Sequence, residues 1–439
     1  MKQSDFFDIL TTLGISRDKL LDMAFETGLI KRKRTILPGD ILFAFCFESI
    51  DGAVTYNNVA IQIEEATGNA VSRQAVWKKA TEQSKLFFQR VMEVIILSKV
   101  DNADLNKIKK SGKYKRILVQ DSTIIKLPLR LFKFFSGVSN GVSKACNARI
   151  QGTYDLIEEK FIRFSIDSYS KNDLKAAPEL ELQKDDLVLR DRGYLTIDEI
   201  RRHLKNRADC IYRYKYNTIL YDTETKKPIT LTAELKINGN LDRVVALNNN
   251  ERTLVRLVTA PVSEEIANKR RMKAKKENKS NPSKGYLIQQ SWTIFLTTIP
   301  KEDADFVSIL NIYSLRWRIE IIFKSWKSNM GFSKIHNVSN IQLHLILLAR
   351  FIMIIMFTQY LFKQCRRIVK KHLNKYLSLI KVTNYLVKHL GKVAEINKEL
   401  LQNKGEIGKT ICILGKYCTY ETRNRLNDEH KLDLIFGLS

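Results

Sequence analysis

Cysteine is scarce in this sequence, and its positions suggest no shared role. The six cysteines are scattered along 439 residues, and no C-x-x-C pair occurs. Structural zinc sites use closely spaced thiolates, and disulfide-rich domains use many cysteines in a short chain, so neither class is indicated. Because disulfides belong to oxidising compartments, we expect a protein of the reducing cytosol.

Two further patterns are missing from the sequence. No Gly-x-x-x-x-Gly-Lys-Ser/Thr phosphate-binding loop occurs, so we predict no nucleotide cofactor. The N-terminal residues Met-Lys-Gln-Ser-Asp-Phe-Phe-Asp lack the apolar core of a signal peptide. Residues 341–362 are apolar enough to suggest a membrane span, but Arg350 near the middle costs about 2.5–3.5 kcal/mol on insertion scales. We interpret the stretch as a buried core helix and predict no membrane partner.

Acidic residues are strongly outnumbered. The sequence has 74 Lys and Arg against 47 Asp and Glu, which gives a formal net charge of +27. Such an excess predicts a polyanion as partner. Charge alone leaves open ribosome binding, membrane-surface binding and enzymes that act on nucleic acids.

The first hundred residues have a helical pattern. Residues 59–67, the pair Gly68-Asn69 and residues 72–80 suggest helix, turn and helix, with Ser72 as N-cap of the second helix. In a DNA-binding helix-turn-helix, the second helix carries the side chains that contact DNA, which are here Arg73, Gln74 and Lys78. An ordinary helical hairpin has the same pattern, so both interpretations stay open.

A β-strand pattern begins at Lys113. The apolar run Ile-Leu-Val-Gln stops at Asp121, two alternating segments follow, and the run Leu-Val-Leu-Arg stops at Asp191. A short helix opening near Pro178 is expected before the last of these strands. This order of elements, three strands, then a helix and a fourth strand, is typical of an RNase-H-like sheet. So is the presence of Asp at the ends of the first and fourth strands.

More strands are predicted up to about residue 299, and Trp292 lies on the last of them. The basic run 268–279, which includes Arg270 and Arg271, has the composition of a mobile loop that could lie on phosphates. Residues 313–327 then predict one amphipathic helix. Glu320 shares an arc of roughly 60° with cationic and aromatic residues, and apolar residues fill the other side. A solvated amphipathic helix would give a similar pattern.

Asp121, Asp191 and Glu320 could converge on one site. Carboxylate ligands without histidine suit Mg²⁺ or Mn²⁺. Two such ions about 3.5–4 Å apart can activate an attacking water or hydroxyl and stabilise the leaving oxygen in phosphoryl transfer. Each acid alone has a simpler interpretation, since Asp commonly caps helices or forms turns after strands and Glu pairs with surface cations.

At these residues the sequence resembles the DDE transposases of bacterial insertion sequences, specifically the insertion-sequence-four type. The signature of that family around its third acid, Tyr-x2-Arg-x3-Glu-x6-Lys, is matched without a gap by Tyr313, Arg316, Glu320 and Lys327. Its signatures around the first two acids are matched by Asp121-Ser122-Thr123 and by Asp191-Arg192-Gly193-Tyr194. The resemblance is good from about residue 113 to 331. The N- and C-terminal parts of the chain resemble those of the family only in their helical, basic character.

The resemblance implies an α/β fold, with an RNase-H-like catalytic core interrupted by a β-rich insertion domain and flanked by helical regions. The implied division is a helical DNA-binding region at 1–112, the core at 113–200 and 300–345, the insertion at 201–299, and a helical C-terminal region at 346–439 that could support dimerisation. The notable feature is that the insertion separates the second acid from the third.

The resemblance also implies residue roles. Asp121, Asp191 and Glu320 would bind two catalytic Mg²⁺ or Mn²⁺ ions. The residues expected to hold DNA phosphates are Tyr313, Arg316 and Lys327, with Lys324 beside them. Trp292 would stack on a flipped base, as a tryptophan on the last insertion strand does in relatives that cut through a DNA hairpin; packing within the β domain is its alternative.

The implied activity is cut-and-paste transposition on double-stranded DNA by a homodimer. The ends of the element, its terminal inverted repeats, would be nicked, converted to hairpins, reopened and joined to target DNA. Two rivals stay open: an RNase-H-like structure-specific nuclease, and an inactive or domesticated DNA-binding derivative.

Overall fold

The computed structural model describes residues 1–32, 35–50, 52–98, 113–137, 144–171, 176–177, 179–277, 281–402 and 406–420. The helices of this part of the chain are α1 Gln3–Thr12, α2 Arg17–Glu26, α3 Pro38–Glu48, α4 Tyr56–Thr67, α5 Arg73–Lys79, α6 Glu82–Leu97, α7 Ile197–Lys205, α8 Leu231–Asn238, α9 Glu264–Glu277, α10 Lys284–Gln289, α11 Phe306–Ser314, α12 Trp317–Asn329, α13 Asn340–Ile355, α14 Lys363–Leu373, α15 Leu379–Lys388, α16 Leu390–Leu401 and α17 Lys409–Tyr417. A π-helical segment, Met356–Phe362, joins α13 to α14. The strands are β1 Arg116–Lys126, β2 Asn147–Asp155, β3 Lys160–Ser168, β4 Asp186–Arg190, β5 Asp209–Arg213, β6 Leu220–Tyr221, β7 Asp242–Leu247, β8 Leu254–Pro261 and β9 Trp292–Thr297.

These strands form one mixed sheet, which makes the chain an α/β protein. The nine described strands lie in the order β3-β2-β1-β4-β5-β9-β8-β7-β6. The strands β1, β4 and β5 are parallel neighbours, and every other pairing is antiparallel. Strands β5 to β9 lie within the predicted insertion, and they continue the sheet that β1 to β4 begin. The predicted division into domains stays a prediction.

The central strands are buried on both faces, which explains their continuous apolar runs. Successive side chains of a strand point to opposite faces. On β1, Ile117 and Val119 join a core that also contains the N-terminal and C-terminal helices, whereas Leu118 joins a second core with α7 and α8. We call these the helical face and the outer face of the sheet.

Helix α12 lies on the helical face. Its apolar side chains Ile319, Phe323 and Trp326 are buried in that core. Gly152 on β2 permits this close packing, because a Cβ there would lie 3.1 Å from the Phe323 ring and 3.0 Å from the Phe161 ring. A small residue on the strand beside β1 therefore sets the height of α12 above the sheet.

Four predictions about local structure need correction. Residues 313–327 do not form one helix, since the chain turns at Leu315 and Arg316 between α11 and α12. Strand β1 does not stop at Asp121 but continues to Lys126, because β2 pairs along its whole length. Most of the basic run is helical, in α9. The expected helix start at Pro178 lies outside the described residues, and residues 179–185 are not helical.

The apolar stretch of the C-terminal half is an interior helix. Among the described residues, one helical stretch, Asn340–Leu373, is long and apolar enough to cross a membrane, and its apolar window is entirely buried within the protein. Arg350 is buried inside it and donates to four backbone carbonyls, those of Ser49, Gly52, Phe332 and Lys334. These bonds satisfy its guanidinium and tie the end of α3 to the segment after α12.

Candidate active site

The register of three parallel strands places two acids side by side. Gln120 on β1 pairs with Arg190 on β4, so Asp121 and Asp191 are the next residues of neighbouring strands. Alternate residues of a strand face the same side of the sheet, and Val119 on β1 and Leu189 on β4 face the helical core. Asp121 and Asp191 each lie two residues further along, so they face that side as well. Asp121 and Asp191 are therefore directed towards α12.

The end of β4 is firmly held, which fixes the position of Asp191. The Tyr313 hydroxyl donates to the Arg190 carbonyl at 3.4 Å. Below the sheet, the buried guanidinium of Arg190 donates to Glu199 on α7 and to the Tyr212 hydroxyl on β5. Because side chains from three elements hold this strand end, the backbone that carries Asp191 is well supported.

Arg316 joins two of the three predicted metal ligands. Its Nη1 lies 3.4 Å from Asp121 Oδ2 and its Nη2 lies 2.5 Å from Glu320 Oε1. The arginine is only 7% exposed. Asp191 is close enough to influence both Asp121 and Arg316 electrostatically. Residues from positions 121, 191, 316 and 320 thus meet at one place.

This place has more negative than positive charge. Burial raises the pKa of Asp121 to about 7, with the carboxylates of Glu320 and Asp191 adding to the rise and Arg316 opposing it. Three carboxylates meet here with two guanidinium groups, that of Arg316 and that of Arg213 beside Asp191, a formal excess of one negative charge. A site with that excess favours cations.

The donor set fits a hard divalent cation, although the side chains do not form a closed ligand cage. Among the described residues, no group of three or more His, Cys, Asp or Glu is placed closely enough to hold a metal ion. Part of the reason is visible, since the Arg316 guanidinium stands between Asp121 and Glu320. Three oxygen donors without nitrogen or sulfur nonetheless have the chemistry that Mg²⁺ and Mn²⁺ require.

Three other residues predicted near Glu320, Tyr313, Lys324 and Lys327, lie in different environments. Tyr313 is 7% exposed, with its ring against Phe295 at 4.5 Å between centroids. Lys324 is exposed, and Lys327 is half-buried on the same side of α12 as Glu320. Burial lowers the pKa of Lys327, and no ion pair to it is found among the described residues. Their roles in DNA binding stay predictions.

Trp292 lies on the face of the sheet opposite to the one that carries the acids. Phe295 pairs with Arg213 and points to the helical face, so Trp292, three residues away, points to the outer face. There it is partly buried against the second core. The structure therefore does not bring its ring to the three carboxylates.

Arg270 and Arg271 fasten α9 to the start of β9. Arg270 Nη1 donates to the Trp292 carbonyl at 3.0 Å, and Arg271 Nη1 donates to Ser291 Oγ at 2.8 Å. Arg271 also pairs with Glu264. Both arginines thus have protein partners, and contact with DNA stays a prediction for them.

The predicted helix-turn-helix has the expected local structure. Helix α4 ends at Gly68 in the left-handed conformation, with φ of 73°. Ser72 caps α5 by accepting a hydrogen bond from the backbone of Ala75. The predicted contact residues Arg73, Gln74 and Lys78 are all exposed.

Arg213 is a site residue that the sequence interpretation missed. It follows Tyr212 on β5, which pairs with Arg190, so it is the third member of the row Asp121, Asp191, Arg213. Its charge acts on the Tyr313 hydroxyl and on Arg270. The alternation of the run Cys-Ile-Tyr-Arg, aligned with the strand before it, could have indicated it.

Comparison with known proteins identifies the family of this chain. Residues 113–356 match the family model described as "Transposase DDE domain". The transposase of insertion sequence element IS231C from Bacillus thuringiensis subsp. berliner is 25% identical over 404 residues, which cover 84% of this chain and 82% of that protein. The transposase of IS231B from the same organism is 23% identical over 95% of this chain and 91% of its own length. The transposase of IS1151 from Clostridium perfringens is 23% identical over 85% and 84%.

One solved structure is also similar, at a low level. It is the cryo-EM structure of the piggyBac transposase synaptic complex with hairpin DNA, with a TM-score of 0.42 and 10% sequence identity. The alignment covers 98% of this chain and 86% of that one.

Proposed function

We propose that this protein is a cut-and-paste transposase. The chain belongs to the DDE transposase family, of the insertion-sequence-four type, and it is an enzyme that cleaves and transfers DNA. The order of steps, the metal ions and the individual residue roles are our proposals. The observation that carries them is the meeting of Asp121, Asp191 and Glu320 around Arg316.

We assign the catalytic core to residues 113–200 and 300–345 as an RNase-H-like unit. In its support, β1 and β4 are parallel neighbours, β2 and β3 extend the sheet beyond β1, and α12 packs across it. Residues 201–299 form the insertion, residues 1–112 bind the ends of the element, and residues 346–439 support a dimer. Residues 421–439 of that last region lie outside the described part of the chain.

Asp121, Asp191 and Glu320 would hold two Mg²⁺ or Mn²⁺ ions. Bound there, such ions supply activation of the attacking oxygen and stabilisation of the leaving oxygen. The protein supplies three oxygen donors on a rigid strand pair and one helix. Arg316 keeps these acids together by offsetting part of their repulsion.

The cations around the acids would hold the phosphates of the DNA. Lys327 lies on the same side of α12 as Glu320, about two turns away, and Arg213 lies beside Asp191. Lys324 and Arg316 add further donors. Charge-assisted bonds of this kind orient a phosphodiester as well as attract it.

The reaction would proceed through successive phosphoryl transfers at one site. Water attacks the phosphodiester at the end of the element and releases a 3′-hydroxyl. That hydroxyl attacks the opposite strand, which closes a hairpin, and a second water reopens it. The freed 3′-hydroxyl then attacks target DNA. Each transfer exchanges one phosphodiester bond for another or hydrolyses it, so no nucleotide cofactor is needed.

Trp292 would hold a flipped base during the hairpin steps. Aromatic stacking of a base contributes about 1–3 kcal/mol. The partial exposure of Trp292 at the start of β9 supports the role, and its outer-face orientation requires that the base reach it around that edge of the sheet.

The terminal inverted repeats would be bound by α5, through Arg73, Gln74 and Lys78. Target DNA would contact Arg270 and Arg271. A homodimer acting in the bacterial cytoplasm would hold both ends of the element.

The test is a cleavage assay on duplex DNA that carries the end of the element. Wild-type protein, Asp191→Asn and the control Asp198→Asn are incubated with Mg²⁺, and the products are resolved on denaturing gels. Asp198 suits as control because its side chain is 92% exposed on α7. We expect nicks, hairpins and strand-transfer products from wild type and Asp198→Asn, and none from Asp191→Asn with DNA affinity retained.

Other outcomes correct the proposal in defined ways. Cuts without hairpins or strand transfer indicate a nuclease, and binding without cutting indicates an inactive derivative. Cleavage by Asp191→Asn at the wild-type rate rejects its catalytic role. In the same assay, Trp292→Ala should reduce hairpins more than first nicks, and equal loss of both rejects base stacking.

A further inference from the structure

The second helix of the helix-turn-helix carries an exposed tryptophan. Trp77 lies on α5 and is 60% exposed. Of the other tryptophans, Trp326 is fully buried, Trp292 is partly buried, and Trp317 is exposed on α12 beside Arg316. Trp77 is therefore a large apolar surface on the helix that we assign to the ends of the element.

The fold of this region does not need Trp77, because Val76 anchors α5. Val76 is 3% exposed and joins the core of the helical face. Four exposed residues, at spacing i, i+1, i+4 and i+5, form the side of the helix away from Val76: Arg73, Gln74, Trp77 and Lys78. The indole thus lies among the three side chains predicted to contact DNA.

The charge around Trp77 favours DNA as its partner. Residues 66–81 contain three cations and no Asp or Glu. The exposed acids Glu64 and Glu65 of α4 precede the turn. Duplex DNA has phosphates along the rims of its grooves and base edges between them, so it offers both an anion for the cations and an apolar contact for an aromatic side chain.

The residue types on this side of α5 suit different bases. In the major groove, Arg forms two hydrogen bonds with guanine, and Gln forms two with adenine. Thymine differs from the other bases by its C5-methyl group, which apolar side chains contact. A recognition helix holds its exposed side chains against base edges in that groove, where an indole can pack on a methyl group.

We propose that Trp77 is a specificity-determining residue that contacts thymine methyl groups in the terminal inverted repeat. The proposal rests on the assignment of α5 to the ends of the element, and it adds a contact that distinguishes one base from the others. Because the contact is apolar, it contributes to affinity without releasing counterions. It is therefore distinguishable from the phosphate contacts of a lysine.

The test compares end DNA with the same duplex in which uracil replaces every thymine. The two duplexes differ only in their C5-methyl groups. Wild-type protein should bind the uracil duplex about 5- to 100-fold more weakly, the effect of losing about one base contact. Trp77→Ala should fold, because the residue is exposed, and it should bind the two duplexes within about twofold of each other, below the free energy of one base contact.

Two further variants serve as controls. Tyr417→Ala removes another aromatic side chain, 74% exposed on α17, and should keep the wild-type preference for thymine. Lys78→Met removes a charge from α5, so the salt dependence of binding should decrease by about one ion. In Trp77→Ala the salt dependence should be that of wild type.

Equal binding of the two duplexes by wild type overturns the proposal, and this result needs no variant. A full preference for thymine in Trp77→Ala also overturns it. If that variant instead changes the oligomeric state and keeps the preference, Trp77 contacts a second copy of the chain. These results leave the proposed transposition intact, because cleavage of end DNA is measured separately. Failure of wild type to bind or cleave end DNA would reject both proposals.

Discussion

The two sides of α12 carry different sets of charged side chains. On the front, the carboxylates of Asp121, Asp191 and Glu320 meet around Arg316, with Arg213 beside Asp191. On the back, Arg318 and Arg366 both pair with Glu159, and Lys363 donates to the Glu158 carbonyl. One helix therefore separates a place where acids outnumber cations from a place where cations hold a buried carboxylate.

The difference shows how buried charge can be interpreted. Arg256 has its partners within the fold, since it meets Asp242 at 2.7 Å and donates further to backbone carbonyls. Contacts of this kind position the backbone and need no ligand. On the front of α12, three carboxylates meet around one buried guanidinium, and this excess of acids favours a cation.

The largest expected effect is that of Arg316→Gln on the front. Removing one partner of a buried ion pair costs about 3–5 kcal/mol; since the Glu320 side chain is 33% exposed, we expect roughly 2–3 kcal/mol here. The free energy of unfolding, measured by urea titration with EDTA, should fall by that amount. Mg²⁺ should restore part of it, because a divalent cation takes over the charge that Arg316 supplied.

Arg318→Gln is the matched variant on the back. It also removes an arginine from a carboxylate, that of Glu159, but Arg366 still pairs with that carboxylate. Mg²⁺ should therefore not restore its stability. Equal relief of both variants by Mg²⁺ would contradict the distinction between the two sides.

The second effect concerns Lys327, a cation on the front that has no described carboxylate partner. Lys327→Met should change the free energy of unfolding by less than about 0.5 kcal/mol, because no ion pair is broken. Affinity for end DNA should fall about 5- to 30-fold, the loss of one charge-assisted bond, and the salt dependence of binding should decrease by about one ion.

Lys398→Met on α16 is the control, since Lys398 is exposed and far along the chain from the acids. It should leave end-DNA affinity within about twofold of wild type, at a free energy difference below 0.5 kcal/mol. If Lys327→Met and Lys398→Met weaken binding alike, the effect comes from net charge alone, and Lys327 has no specific contact.

Much of the candidate active site on the front of α12 could be predicted from the sequence, because the patterns that indicate it are local. Asp121 and Asp191 follow apolar runs that are typical of strands. The spacing of Arg316 and Glu320 follows helical periodicity. The family was confirmed by comparison. Arg213 was missed because its role depends on register between β4 and β5, which no single run specifies.

The charged cluster on the back of α12 could not be predicted from the sequence, because its residues are brought together only by the packing of distant elements. Glu159 follows β2, Arg318 lies on α12, and Lys363 and Arg366 lie on α14, more than 200 residues after Glu159. The break between α11 and α12 could not be predicted from the sequence either. Leu315 and Arg316 have helical backbone angles, and neither residue type typically ends a helix.

The smallest expected effect concerns Gly152, which sets the position of α12 for both sides. In Gly152→Ala the new methyl would lie 3.1 Å from the Phe323 ring and 3.0 Å from the Phe161 ring, so both rings must shift by a few tenths of an ångström. We expect the free energy of unfolding to fall by about 1 kcal/mol, the low end for overpacking.

Gly391→Ala on α16 is the control, because a Cβ there meets nothing within 4 Å and should stabilise the helix slightly. Since α12 carries Glu320, Gly152→Ala should also weaken end-DNA cleavage, whereas Gly391→Ala should not. Equal cleavage by the two variants would show that the contact at Gly152 does not position the front of α12.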